Sequence, residues 1–179
     1  MRKWNALLSL AALLLLLAHG ILGSFQMIGA GNSAVKALAW AALALLVIHG
    51  ILGIKFTWDS IRVWRKTGVS YYRENRLFWT RRISGFVLLI LLFFHVTALG
   101  YDDGGVYRLQ WFTAVKLALH LMLAAALGIH LITNVRPLMI ALGLRGGRKW
   151  LTDVFFVLSV LLLFMAVAFV VYYIRWNVF

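Results

Sequence analysis

Five long runs of apolar residues follow one another along the chain, and shorter stretches between them hold most of the charge. The first run, "LLSLAALLLLLAHGILG", is apolar around its whole circumference, whereas a surface helix of a soluble protein is apolar along one stripe. Each run is long enough to cross a bilayer as a helix. The pattern predicts an all-α integral membrane protein with one transmembrane domain over residues 1–179. The predicted spans are 4–25, 35–56, 82–100, 112–135 and 151–175, with Pro137 just beyond the fourth.

Composition narrows the class further. An apolar content of 64% and a mean hydropathy of +0.92 exclude a soluble globular domain. The start "MRKWNALLSLAALLLLLAHG" resembles a signal peptide, but its apolar run is long and "HGILG" is a poor cleavage site, so we expect a first membrane helix. Because the chain has no cysteine, it cannot by itself hold an iron-sulfur cluster, a thiolate zinc or a disulfide. Any metal bound by this chain alone must use histidine.

The net charge of +13 describes topology rather than nucleic-acid binding, because the basic residues lie between the apolar runs. No nucleic-acid partner is expected. Of the 18 lysines and arginines, 14 fall at the N-terminus and in the second and fourth connections. The remaining four are Lys36, Arg108, Lys116 and Arg175. The positive-inside rule therefore places the N-terminus in the cytoplasm and the C-terminus outside. We expect the chain to lie in the inner (cytoplasmic) membrane.

The second connection, residues 55–81, is the longest and mixes aromatic with basic residues. This composition is typical of a cytoplasmic surface that meets a partner protein, and equally of a surface that contacts anionic lipid.

The hexapeptide "AHGILG" at 18–23 returns as "IHGILG" at 48–53. At about 1.5 Å of rise per residue, His49 and His130 each lie about 9 Å from the cytoplasmic end of their helices. His19 and His95 lie about 20 to 22 Å in. In an up-down bundle the first helix is diagonal to the third and the second to the fourth. Depth therefore pairs His19 with His95 and His49 with His130, as two haem b groups about 12 Å apart would require.

Plainer interpretations exist for several of these residues. A membrane histidine often only hydrogen-bonds a neighbouring helix, and glycines beside it serve close helix packing as well as room for a porphyrin. His120 lies about 15 Å above His130 and about 80° around the helix, so it cannot serve the same haem. It is a candidate to replace His95 or His19, to bond a haem propionate, or to contact a quinone, and the last two roles are favoured.

One segment carries a family resemblance. The stretch "FWTRRISGFVLLILLFFHV" at 78–96 resembles the cytochrome b membrane anchor of the succinate dehydrogenase and fumarate reductase family, where an Arg-x-Ser-Gly entry to a membrane helix is familiar. "LLVIHGILGIKF" and "ALGIHLITNVRPLMI" resemble haem-bearing helices of its single-chain, five-helix, dihaem branch. The resemblance implies the same four haem ligands as the depth argument. It also places Arg82 and Ser84, with Arg81 in support, near a quinone or haem propionates.

The expected function is that of a dihaem cytochrome b anchoring a cytoplasmic succinate dehydrogenase or fumarate reductase. It would pass electrons between membrane quinone, either menaquinone or ubiquinone, and an iron-sulfur subunit. The resemblance implies that this partner holds three iron-sulfur clusters, and that a second partner is a flavoprotein with covalent FAD. This chain has no groups for dicarboxylate chemistry and would be the quinone-reactive electron-transfer subunit of the enzyme complex.

Two alternatives and one question of location stay open. The chain also fits a cytochrome b of a hydrogenase or formate dehydrogenase, or a non-haem membrane protein whose histidines bridge helices. A quinone has two competing locations, the inner face at Arg82 and Ser84 and the outer face at His120 and the "YDDGG" stretch, which is equally a simple turn.

Overall fold

The computed structural model describes residues 2–29, 34–68, 76–98, 100–103, 106–144 and 147–177. Over these ranges it has five helices and one two-stranded antiparallel hairpin. The helices are α1 (Arg2–Met27), α2 (Ala34–Thr67), α3 (Arg76–Val96), α4 (Ala114–Ala141) and α5 (Arg148–Asn177). The hairpin, β1 (Gly100–Asp103) with β2 (Val106–Leu109), joins α3 to α4. All five helices are long and apolar enough to cross a bilayer, which confirms the predicted all-α multi-pass membrane protein.

Large apolar side chains cover the outward surfaces of the helices. Leu14 is 59% exposed, Phe93 67% and Leu163 65%. In water such a surface would drive aggregation, whereas hydrocarbon solvates it and leaves the helical backbone fully hydrogen-bonded. The exposed faces are therefore those that lipid covers.

The helices form two pairs. The most extensive contacts are between α3 and α4 and between α1 and α2, and α5 packs against both α4 and α1. Contacts of α1 with α4, and of α2 with α3, are much smaller. A cluster of Leu131, Val135 and Met139 on α4 with Leu158 on α5 forms a buried apolar core. The two pairs have few contacts with each other, and an interior space lies between them.

Helix α2 continues 11 residues past the predicted end of its span, and α3 begins six residues before its predicted start. Hydropathy indicates where the hydrocarbon ends, whereas a helix ends where its backbone hydrogen bonds stop, and these two points differ for α2 and α3. Helix α2 ends where Gly68 adopts a φ of 68° and donates its N–H to the carbonyl of Trp64 at 2.9 Å. Its 34 residues span about 51 Å, against about 30 Å of hydrocarbon. Much of the connection predicted at 55–81 is therefore helix.

Pro137 lies inside α4, so the expectation that it lies beyond the fourth helix is wrong. A proline has no N–H, and the carbonyl four residues earlier, that of Thr133, loses its donor within the helix. Arg81 of α3 supplies the missing donor, with Nε 2.8 Å from the Thr133 oxygen. A side chain from the neighbouring helix thus satisfies the carbonyl that the proline leaves free, and α4 continues to Ala141.

The outer hairpin is fixed to α5 by a buried tyrosine. The backbone N–H of Leu109 donates to the hydroxyl of Tyr172 at 2.6 Å, and Tyr172 is 2% exposed. Phe112 packs edge-on against the same ring. These contacts set the start of α4, and with it the height of the histidines on that helix. The "YDDGG" stretch supplies β1, and its residues 104–105 lie outside the described residues.

The contact between Arg81 and Thr133 predicts an energetic coupling to Pro137. Replacing Arg81 by Ala removes a charged hydrogen bond, and we expect it to lower the free energy of unfolding by about 1.5–3 kcal/mol. In a Pro137→Ala background the restored N–H bonds the carbonyl itself, so the arginine substitution should cost less, with a coupling energy of at least about 0.5 kcal/mol. Denaturant unfolding in detergent of the two single variants and the double variant measures this coupling.

The control is Arg76→Ala, which removes an exposed cation from the same helix. Strictly additive effects of the Arg81 and Pro137 substitutions would contradict the assignment.

Candidate functional site

A cavity of about 1440 Å³ lies between the two helix pairs. A typical small-molecule site has a volume of roughly 300–1000 Å³, so this space is large enough for more than one ligand. All five histidines line it: His19, His49, His95, His120 and His130.

Four of these histidines form two facing pairs. The ring centroids of His19 on α1 and His95 on α3 are 6.0 Å apart, with their planes at 78°. Those of His49 on α2 and His130 on α4 are 6.4 Å apart, at 84°. The structure therefore brings together the same two diagonal pairs that depth along the sequence predicts. We call them the outer pair and the inner pair respectively.

The spacing within each pair suits a metal ligated from opposite sides. A bond from a metal to an imidazole nitrogen is about 2 Å, and the ring centre lies about 1 Å behind that nitrogen, so two such rings have centroids about 6 Å apart. Within the described part of the chain, His, Cys, Asp and Glu form no group of three or more that could hold a metal ion. Each pair therefore presents two imidazole rings at a spacing that a single metal ion between them would fit.

Serines flank both histidines of the inner pair. Ser9 of α1 has its hydroxyl 3.3 Å from His49 Nδ1, and Ser84 of α3 has its hydroxyl 3.0 Å from His130 Nδ1. Ser84 is buried, at 7% exposure. These contacts join α1 to α2 and α3 to α4 at the level of the inner pair, and they occupy one nitrogen of each ring.

The outer pair has a different environment. Among the described residues, the buried Nδ1 atoms of His19 and His95 have no hydrogen-bond partner. The ring centroid of His120 lies 5.1 Å from that of His95, and the ring of Phe169 lies 4.8 Å from His120. His120 is 2% exposed, and its Nδ1 lies 2.6 Å from the carbonyl of Lys116. This assigns the proton of His120 to Nδ1 and leaves Nε2 as an acceptor.

The other predicted site residues lie at the inner end. Arg82 lines the cavity, donates from Nη1 to the carbonyl of Gly53 at 3.3 Å, and stacks on the Phe78 ring at 5.0 Å. Arg81 also lines the cavity but is bound through Nε to α4. Ser84 contacts His130 rather than either arginine side chain. The predicted quinone or propionate roles of these residues remain predictions.

The glycines of the repeated hexapeptide divide into two kinds. A Cβ on Gly20 would lie 2.5 Å from Met165, and one on Gly50 would lie 3.1 Å from Leu89, so these glycines allow close packing. A Cβ on Gly23 or Gly53 would meet nothing within 4 Å, and both line the cavity. Gly20 and Gly50 border the same cavity, so each copy of the repeat has one glycine at which a side chain would meet a neighbour and one at which it would not.

Ser9 and Gly85 are site residues that sequence reasoning missed. Gly85 leaves room for His130, whose ring would be 3.4 Å from a Cβ at that position. Ser9 had a usable signal, because it lies about 7 to 8 Å past Trp4, close to the depth of His49. The similar depth of Ser9 and His49 is the sequence signal that indicates this contact.

These observations define a multi-pass α-helical membrane protein with two facing histidine pairs along one interior cavity. No protein-family model matches the chain, and no curated protein or solved structure matches it significantly.

The open space beside Gly53 can be tested directly, because the chain has no native cysteine. Single variants Gly53→Cys and Gly128→Cys place one thiol at the cavity and one at the packed contact between α4 and α5, where a Cβ meets Leu162 at 3.5 Å. We expect a small methanethiosulfonate reagent to label the Gly53 variant at least about tenfold faster in cofactor-free protein, since reaction needs an accessible thiol. Mass spectrometry over time measures the rates, and equal rates would show that the cavity is closed.

Proposed function

We propose that this chain is a dihaem cytochrome b that anchors a succinate dehydrogenase or fumarate reductase in the cytoplasmic membrane. In this proposal it passes electrons between a membrane quinone and the iron-sulfur subunit of the complex. The observation that carries the haem part is the presence of two histidine pairs, at 6.0 and 6.4 Å, stacked along one large cavity. The choice of complex comes from the resemblance of residues 78–96 to that family.

The histidines would hold one haem b at each pair, which supplies one-electron transfer when bound. The helices fix the spacing between the two sites. Ser9, which contacts His49, precedes His19 by ten residues on α1, and His120, which contacts His95, precedes His130 by ten on α4. Both intervals correspond to about 15 Å along the bundle. In the proposal, the two haem sites therefore lie about 15 Å apart along the bundle, and an electron crosses the membrane in two short steps.

The inner end of the cavity suits a carboxylate or a quinone oxygen. Arg82 has one N–H on the Gly53 carbonyl, so the other donors of its guanidinium remain for a ligand in the cavity. Arg81 holds α4 through Nε and adds a second positive charge at the same level. In the proposal, these residues hold the propionates of the inner haem or orient a quinone at the inner face.

The outer end offers a different chemistry. The one proton of neutral His120 is taken by the Lys116 carbonyl, so its free nitrogen accepts hydrogen bonds and gives none. Such a nitrogen pairs poorly with a carboxylate and well with the hydroxyl of a quinol. Of the two favoured roles for His120, the geometry supports the quinone contact over the propionate contact.

The charge pattern supports a cytoplasmic N-terminus and an outer C-terminus in this proposal. The cytoplasmic part of α2 would then face the soluble subunits, with Arg62, Arg65 and Lys66 exposed at its end. The flavoprotein with FAD and the iron-sulfur protein would bind on this side, and lipid would cover the remaining surface.

The haem proposal is tested by a reduced-minus-oxidised absorption spectrum and by a haem-to-protein ratio. We expect two haems per chain. His49→Ala or His130→Ala should each remove the inner haem. His19→Ala or His95→Ala should each remove the outer haem. Each substitution leaves the iron with one of its two protein ligands. Each variant is therefore expected to retain about one haem. Controls are Tyr173→Phe and Arg76→Ala, which lie outside both pairs. A protein that binds no haem, or one whose loss does not follow the pairs, would overturn the assignment.

The anchor proposal is tested by affinity purification of the full-length protein from mild detergent, followed by cofactor assay. Covalent flavin and non-haem iron should co-purify in constant ratio to haem. A haem protein that co-purifies with nickel or molybdenum, without flavin, would point instead to a hydrogenase or a formate dehydrogenase.

A further inference from the structure

Each serine of the inner pair also contacts a backbone carbonyl of its own helix. The Ser9 hydroxyl donates to the carbonyl of Asn5 at 2.8 Å, shorter than its 3.3 Å contact with His49. The Ser84 hydroxyl lies at nearly equal distances from the carbonyl of Arg81, 3.1 Å, and from His130 Nδ1, 3.0 Å. A hydroxyl has one hydrogen and two lone pairs, and a carbonyl can only accept. A serine whose hydrogen is on the carbonyl can only accept from the imidazole, and the imidazole Nδ1 then carries the hydrogen.

A neutral imidazole with its hydrogen on Nδ1 has its lone pair on Nε2. Both rings of the inner pair are then in the same tautomer, with a ligating nitrogen available on each. The partners of Nδ1 come from neighbouring helices, α1 for His49 and α3 for His130. Tautomer and ring orientation are thus fixed by contacts between helices.

The outer pair provides an internal contrast. Ser24 follows His19 by five residues on α1, lines the same cavity and is 4% exposed. Its hydroxyl donates to the carbonyl of Gly20 at 2.7 Å. This geometry toward the backbone matches that of Ser9, but among the described residues the Ser24 hydroxyl has no hydrogen bond to another helix. Ser24 is therefore a matched control for the serine contacts.

We propose that Ser9 and Ser84 are positioning residues that fix His49 and His130 as Nδ1–H tautomers and thereby set the properties of the inner site alone. A hydrogen-bond acceptor on the distal nitrogen raises the basicity of a ligating imidazole and holds its ring. The consequence for haem rests on the proposed function, whereas the tautomer assignment does not.

The tautomers are measured by nitrogen NMR of full-length, haem-free protein labelled with ¹⁵N-histidine. We expect His49 and His130 to show a protonated Nδ1 and an unprotonated Nε2. Ser9→Ala should shift His49 toward the Nε2–H form, and Ser84→Ala should do so for His130. Ser24→Ala should change neither ring, and Ser9→Thr and Ser84→Thr, which keep the hydroxyl, should preserve the original tautomers. Nε2–H forms in the unmodified protein, or rings that do not respond to either alanine variant, would overturn the proposal.

In haem-loaded protein, the same variants are followed by optical redox titration. Ser9→Ala and Ser84→Ala should each move one and the same component to a more positive potential, because a less basic ligand stabilises ferric iron less. That component should be the one lost in His49→Ala. The second component should stay in place, and Ser24→Ala should move neither. A shift of both components by equal amounts would indicate a general structural change and would refute the positioning role.

The two measurements separate the two ideas. If no haem is found but the tautomers respond as described, the proposed function fails and the positioning role stands. If two haems are found and neither potential nor tautomer responds to the serines, the positioning role fails and the proposed function stands.

Discussion

Imidazole nitrogens inside an apolar cavity must find partners, and this requirement governs the centre of the molecule. In hydrocarbon an unpartnered polar group costs several kcal/mol. In the inner pair, a serine contacts one nitrogen of each ring, and both rings line the cavity. The two ring centroids are 6.4 Å apart. The helix pairing, the cavity and the glycines beside it all maintain that arrangement.

The same requirement explains the contacts at the start of α3. A proline in α4 leaves a carbonyl without its helical donor, and an arginine of α3 provides one. The arginine next in sequence bonds a carbonyl of α2 beside the cavity. Two adjacent cations thus connect α3 to the helices on either side of it, α4 and α2, and each satisfies backbone in a neighbouring helix.

Sequence patterns predicted the membrane class, the number of helices and the pairing of the four histidines. These features follow from hydropathy and from a constant rise per residue, which can be read from each segment of the sequence by itself. Helix ends were harder, since α2 and α3 continue as helix where hydropathy no longer reports on them. The prediction for Pro137 was wrong because the carbonyl that the proline leaves free, that of Thr133, is bonded by Arg81 of another helix, and the two residues meet only in the folded bundle. Ser9 was missed because its partner is on another helix, although its depth matches that of His49.

Helix α2 is one continuous element from Ala34 to Thr67, and His49 lies near its middle. Proline, the strongest cause of sharp bends, is absent from the α2 sequence. The segment from His49 to Thr67 is therefore one continuous stretch of helix about 27 Å long. A tilt imposed at the Thr67 end would therefore displace the ring of His49. Helix α1 has extensive contacts with α2, whereas the contacts of α3 with α2 are much smaller. Such a tilt would therefore meet more packed neighbours on the side of α1 than on the side of α3.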